Sequence, residues 1–378
     1  MRRHRRDRVR DILFVAGEVS GDLHASGVAR ELVRRSVPYR LTGVGGDRMR
    51  DAGVALVEHN ESLAVMGFVE PLKLLPRFYR LRRELHRRIA SGRVALVILV
   101  DYAGFNLRVA ELARAAGVPV LYYITPQVWA SRAKRIEVLA RTVTRAAVIL
   151  PFEEPLLRAR GIDATFVGHP LLDLARELPD RETSRASLGI GPGARLLALF
   201  PGSRPQEITR HLDLFVATAQ LLQARDPALR VVVGAAPHVT IPPDRCPYPM
   251  VHEASFALLR AADAALCKSG TTTLEAAIAL CPLIVAYRTG RLEYAIARRI
   301  VTLPFIGLVN IVAGRIVAPE FVQDAVAPAR MADTLAPLLD RSSAERAGML
   351  VALGAVRDSL GSAGAAQRVA DMALEIAR

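Results

Sequence analysis

Leu196-Leu197-Ala198-Leu199-Phe200-Pro201-Gly202-Ser203-Arg204-Pro205-Gln206-Glu207-Ile208 is an apolar run that breaks at a glycine turn and opens a helical pattern. A short apolar run bounded by turn residues reads as a buried strand. A second stretch repeats the order: Ala264-Ala265-Leu266-Cys267-Lys268 leads into Ser269-Gly270-Thr271-Thr272-Thr273-Leu274-Glu275. Strand, glycine turn and helix in succession form the βα unit of a parallel sheet. The start of a helix presents free amide donors and a partial positive charge, so each turn suits an anion. Gly202, Ser203, Arg204 and Ser269, Gly270, Thr271 are therefore candidate phosphate contacts. Arg204 adds a charged fork, and Glu275 a carboxylate for the two hydroxyls of a ribose. Each turn alone also reads as local chemistry: Ser203 as an N-cap with Arg204 on the surface, Thr272 with Glu275 as a capping box. Two such turns closing strands of one domain favour the ligand.

Around these turns, strands are expected at 195–200, 230–233, 262–266 and 283–287, with helices at 207–225, 272–280 and 291–302. The first half alternates in the same way, with strands at 11–16, 39–44, 95–100, 118–124, 146–150 and 165–167 and helices such as 22–35 and 106–116. The expected fold is α/β, with two Rossmann-like doubly wound domains, 11–178 and 196–330, facing a cleft. Residues 179–195, rich in Pro, Gly and charge without apolar periodicity, separate them as a linker. Residues 331–378 read as helices, expected to pack back on the first domain or to be exchanged in a dimer. Residues 1–10 form a basic tail expected to be disordered, and no function is assigned to it.

A chain of 378 residues exceeds one hydrophobic core. Half of it is hydrophobic (51%), yet no run approaches the ~20 apolar residues that cross a bilayer. The Arg-rich start is followed by a strand pattern and not by a signal peptide, so a cytoplasmic location is expected. Cys246, Cys267 and Cys281 lack the spacing of disulfides or zinc ligands and are expected to be buried fillers. No set of His, Asp or Glu shows metal-ligand spacing, so neither a metal nor a cofactor is expected. The net charge is +14, which suits anionic membrane, phosphorylated ligands or nucleic acid. No GxGxxG follows the first strand, which disfavours a redox dinucleotide enzyme.

In the first half, Asp101 directly follows an apolar strand, where a carboxylate is costly unless it is paired or has a task. A turn or N-cap aspartate is the plain alternative. Glu18, Ser20 and Asp22 close the first strand likewise, and Asp22 also suits a cap of the helix that follows. His24 and His169 read singly as structural. Residues 63–88 mix Val65, Met66, Phe68, Val69, Leu72, Leu75 and Phe78 with many arginines. Such an element suits a membrane interface or an acyl chain, or else a core-facing helix with a charged face. Pro71 and Pro76 place the helix start near Pro76.

Gly17-Glu18-Val19-Ser20-Gly21-Asp22-Leu23-His24, Val65-Met66-Gly67, Asp101-Tyr102-Ala103-Gly104-Phe105-Asn106, Pro126-Gln127-Val128-Trp129-Ala130, Leu150-Pro151-Phe152-Glu153 and Val167-Gly168-His169-Pro170 stand in this order. With Pro201-Gly202-Ser203-Arg204, Ser269-Gly270-Thr271 and Asn310-Ile311-Val312-Ala313-Gly314-Arg315, they resemble the lipid-A-disaccharide synthase family over nearly the whole chain. The resemblance implies GT-B architecture and a metal-independent, inverting transferase. It implies UDP-2,3-diacylglucosamine as donor, 2,3-diacylglucosamine 1-phosphate as acceptor, and a β-1,6 disaccharide with UDP as products. It further implies Asp101 as base with Glu18 in reserve, and Arg204, Ser269, Gly270 and Thr271 on the diphosphate. Glu275 would hold the ribose, Asn310 would wall the nucleotide site, and Ser20, Asp22, Asn106, Gln127, Trp129 and His169 would lie on the acceptor side. Peripheral association with the anionic cytoplasmic face of the inner membrane, and a possible homodimer, follow from it too. Ser131 stands where many relatives carry a second Trp. The rival readings are a UDP-N-acetylglucosamine 2-epimerase of the same architecture and a non-catalytic nucleic-acid or membrane-binding protein, although no nucleic-acid-binding signature is present.

Overall fold

A computed structural model describes residues 9–63, 70–129, 134–236, 239, 241–252, 255–300 and 303–378. The chain divides into two units, one ending at Pro170 but taking in Ser362–Arg378, the other Leu171–Gly361.

The first unit is built on seven strands: β1 Arg10–Ala16, β2 Tyr39–Gly45, β3 Ala55–His59, β4 Val94–Val100, β5 Val120–Tyr123, β6 Arg145–Val148 and β7 Ala164–Phe166. They pair in parallel in the order β3-β2-β1-β4-β5-β6-β7. Val94–Val100 is buried at every position, as expected of a strand with helices on both faces. The order reverses between β1 and β4, where Ala16 lies beside Val100. Ligands of open α/β sheets bind at such a switch point, outside the carboxyl ends of the strands. Glu18 and Asp101 follow those two ends.

The last helix, Ala365–Ala377, belongs to this unit. Val369, Ala370, Met372 and Ala373 join its core, and Arg10 and Tyr39 both donate to the Ala377 carbonyl, at 3.0 and 2.9 Å. The helix Glu70–Ala90 starts well before Pro76 and contains it. The missing N–H costs one helical bond, but Leu81, Leu85 and Ile89, one turn apart, are buried and hold the helix on the sheet.

The second unit carries β8 Leu196–Phe200, β9 Arg230–Ala235, β10 Met250–His252, β11 Ala264–Lys268, β12 Leu283–Tyr287 and β13 Glu320–Val322. They are parallel in the order β10-β9-β8-β11-β12-β13. Here the switch point lies between β8 and β11, the two strands that end in the glycine turns. The helices Pro328–Leu339 and Ala344–Ser359 stay with this unit.

The stretch read as a linker contains a helix, Arg181–Ser187, capped by Asp180, whose carboxylate accepts from Thr183 N at 2.8 Å. Arg181 and Arg185 reach Asp263, a fully buried carboxylate just before β11, and Arg341 reaches it from the C-terminal side. Charge pairing takes the place of the apolar periodicity that the segment lacks.

Candidate functional site

The two glycine turns of the second unit meet around one pocket of about 330 Å³, lined by Gly202, Ser203, Glu207, Lys268, Ser269, Gly270, Thr271 and Glu275, with Gly234 and Ser255. β8 and β11 are direct neighbours, Phe200 beside Cys267, so their turns emerge side by side. Gly202 sits at φ +136°, and a Cβ there would come within 2.5 Å of Glu207 Cβ. Only glycine lets the turn approach the following helix so closely.

Neither capping bond is formed, although Arg204 does lie on the surface as the plain alternative had it. Arg204, not Ser203, is the N-cap of the helix Pro205–Arg225, and Thr271 caps Thr272–Ala279 without a side-chain bond. Ser269 Oγ donates to the Ile306 carbonyl at 2.6 Å, which fixes the second turn. Glu275 lines the pocket, and its Oε2 is buried and has no hydrogen-bond partner among the described residues. Burial pushes its pKa up, against the opposing bond from Ser255.

Lys268 and Glu207, the charged pair of this pocket, were not among the expected contacts. Lys268 Nζ lies 2.8 Å from Glu207 Oε1, and Glu207 Oε2 accepts from the Ser203 amide at 3.0 Å. The signal for Lys268 was its place as the last residue of the strand, immediately before Ser269-Gly270. Arg204 does not line the pocket: its side chain is 78% exposed, 4.0 Å from Glu207. Asn310 is not on the pocket either. It is fully buried and saturated, donating to the Ala318 carbonyl and Glu320 and accepting from the Val317 and Ala318 amides. Its work is to hold the chain that leads into β13.

In the first unit, Asp101 and Tyr102 follow β4 with φ +49° and +50°. Two consecutive non-glycine residues in the left-handed region are strained, of order 1–3 kcal/mol each, and need support. Asn106 supplies it, its Nδ2 donating to the carbonyls of Asp101 at 2.7 Å and of Val15 and Val100 at 3.2 Å, and the Tyr122 hydroxyl donates to the Asp101 carbonyl at 2.8 Å. Burial raises the pKa of Asp101, against a backbone bond from Tyr102 that lowers it. The Tyr102 ring covers Gly17, where a Cβ would lie 2.3 Å from Cδ1. Burial and the negative charge of Glu18 raise the Tyr102 pKa, so the turns after β1 and β4 adjoin.

The remaining acceptor-side residues scatter. Ser20 and Gln127 are exposed. Asp22 is buried and accepts from Gly46 N at 2.7 Å, Met49 N at 3.1 Å and Arg48 N at 3.2 Å. It caps the neighbouring helix Asp47–Asp51 and not its own. Trp129 Nε1 donates to the buried Glu153 at 2.9 Å, its ring edge-on to Phe152. Burial lowers His24 to about 4 and, with the nearby His24, His169 to about 3, so both imidazoles are neutral at physiological pH. Val65, Met66, Phe68 and Val69 lie outside the described residues. Leu72 and Leu75 fall on the helix Glu70–Ala90. Phe78 corrects the acyl-binding expectation, because it packs into the core against Phe105, ring centroids 5.9 Å apart. Arg77, Arg80, Leu81, Arg83, Glu84 and Arg87 of that helix line an open groove of about 750 Å³ together with Val57 and Glu58 of β3.

A sequence model of the lipid-A-disaccharide synthetase family matches residues 12–357. The lipid-A-disaccharide synthase of Geobacter sulfurreducens is 37% identical over 375 residues, 97% of either chain. That of Anaeromyxobacter sp. (strain K) is 40% identical over 379 residues, again 97% of either chain. Among solved structures, the kitacinnamycin glycotransferase superposes with a TM-score of 0.66 at 18% identity, covering 98% of this chain and 99% of its own. The UDP-GlcNAc 2-epimerase from Neisseria meningitidis does so with 0.64 at 12%, covering 97% and 100%. At such identities these two likenesses bear on the fold alone, which is GT-B.

Proposed function

Since this chain belongs to the lipid-A-disaccharide synthase family, it is a glycosyltransferase that forms the lipid A disaccharide, and we propose that it does so by one in-line displacement with inversion and without a metal ion. The donor is UDP-2,3-diacylglucosamine and the acceptor 2,3-diacylglucosamine 1-phosphate. Second-unit residues take the donor: the turn amides of Gly202, Ser203, Gly270 and Thr271 with Lys268 on the diphosphate, Ser269 holding its turn in shape, and Glu275 on the ribose. The observation that carries this reading is the pocket at the β8/β11 switch point that both glycine turns line together with Lys268 and Glu275. Arg204, exposed beside Glu207, offers a second cation for the leaving group.

First-unit residues take the acceptor. An in-line displacement needs a base for the acceptor 6-hydroxyl and positive charge for the departing diphosphate. Asp101 is that base, with Glu18 on the adjoining turn in reserve. Lys268 and the turn amides meet the second need, so turnover is expected to continue in a chelator.

Calorimetry with UDP tests the donor half. Lys268→Gln should weaken binding about tenfold or more, a charge-assisted contact being worth ~1.5 to 3 kcal/mol, and Arg204→Ala should weaken it less. Unchanged affinity in Lys268→Gln would place the diphosphate elsewhere. Association with an anionic inner-membrane surface rests on the arginine-lined face of the helix Glu70–Ala90, which suits phosphate headgroups. The family resemblance also supports a homodimer, which sedimentation would detect.

A further inference from the structure

A carboxylate already stands in the donor pocket where an anionic ligand's oxygens belong. Glu207 accepts from Lys268 and from the amide of Ser203, at 2.8 and 3.0 Å through its two oxygens. One ammonium and one turn amide are the donors a phosphate seeks. The turn is moulded to this side chain, since a Cβ on Gly202 would come within 2.8 Å of Glu207 Oε2. Glu207 is itself only 16% exposed. Burial alone would raise its pKa, but Lys268 and the Ser203 amide hold it below the usual carboxylate value, so it is charged at neutral pH.

We propose that Glu207 is a built-in phosphate surrogate: in the empty pocket its carboxylate occupies Lys268 and the Ser203 amide, and the donor's diphosphate must displace it to bind. The inference rests on the reading of this pocket as a diphosphate site. Displacement leaves two anions close together around one ammonium, so Glu207 opposes bound UDP and helps it leave after transfer. If Glu207 merely oriented Lys268 and the turn, its loss would weaken binding; as a competitor, its loss strengthens it.

Calorimetry on the full chain with UDP, inorganic pyrophosphate and uridine separates these roles. Glu207→Gln keeps the side-chain length and an acceptor for Ser203 but removes the charge. Its UDP Kd is expected to fall about five- to tenfold, pyrophosphate to tighten in parallel, and uridine to bind as in wild type. KM for the donor should fall while kcat falls or stays level, because UDP leaves more slowly. Glu207→Ser also removes the charge and makes the same affinity prediction, so either variant serves if the other does not fold. UDP affinity unchanged or weakened in the variants, with wild type binding UDP, would overturn the proposal. Absence of UDP binding in wild type would instead overturn the diphosphate reading beneath it.

Discussion

Asp101, the proposed base, is held in place by its backbone. Two left-handed residues in succession persist because Asn106, without solvent exposure, ties the end of β1 to the end of β4 through three carbonyls. Replacing Asp101 with Asn is expected to abolish turnover while UDP affinity stays near wild type, measured by transfer assay and calorimetry; near-normal turnover would pass the base role to Glu18. The carboxylate must be ionised to accept a proton, and burial raises its pKa. The acid limb of kcat/KM should therefore lie at higher pH than an ordinary aspartate would give, and should disappear in Asp101→Asn. Asn106→Ala should lower kcat through the turn, with a stability loss of about 1–3 kcal/mol in denaturant unfolding, because strained carbonyls lose their donor.

At the level of elements, the helix Glu70–Ala90 is core-facing along the line of Leu81, Leu85 and Ile89, so Leu85→Ala should cost about 2–5 kcal/mol. Asp263 gathers Arg181, Arg185 and Arg341 and accepts from the Leu196 amide. Asp263→Asn should cost about 3 kcal/mol by leaving buried positive charge unpaired. Its folded pKa lies below the usual aspartate value, since the arginines and the amide outweigh burial; its contribution is therefore complete above the unfolded pKa of about 3.9 and is lost as pH falls through the folded value. Strands such as Val94–Val100 and Leu196–Phe200 were legible because a central parallel strand is apolar on both faces. The strands Ala55–His59, Met250–His252 and Glu320–Val322 were missed because edge strands are short and mixed in polarity. The glycine turns were legible from strand, turn and helix in succession. The backbone bonds of Asp22 and Asn310 were not legible, because a polar residue near a strand end looks the same in sequence whether it binds backbone amides or a ligand. The Glu207–Lys268 pair joins the start of one helix to the end of a strand far from it in sequence, and no spacing reveals it.

For the molecule as a whole, the charge of +14 gathers partly on the arginine-lined groove beside Arg80 and Arg83. Arg80→Glu with Arg83→Glu is expected to release the protein from anionic vesicles, with UDP affinity unchanged; full retention on vesicles would place the membrane contact elsewhere. Each unit brings its own switch-point turns, and the proposed reaction needs the base of one and the pocket of the other. The most direct test of that claim is a transfer assay in detergent with radiolabelled UDP-2,3-diacylglucosamine and 2,3-diacylglucosamine 1-phosphate, in a chelator, comparing wild type with Asp101→Asn and Lys268→Gln. Wild type is expected to give β-linked disaccharide 1-phosphate and UDP in equal amounts, Asp101→Asn no product and Lys268→Gln little. An α-linked product, dependence on added magnesium, or full activity in either variant would contradict that claim.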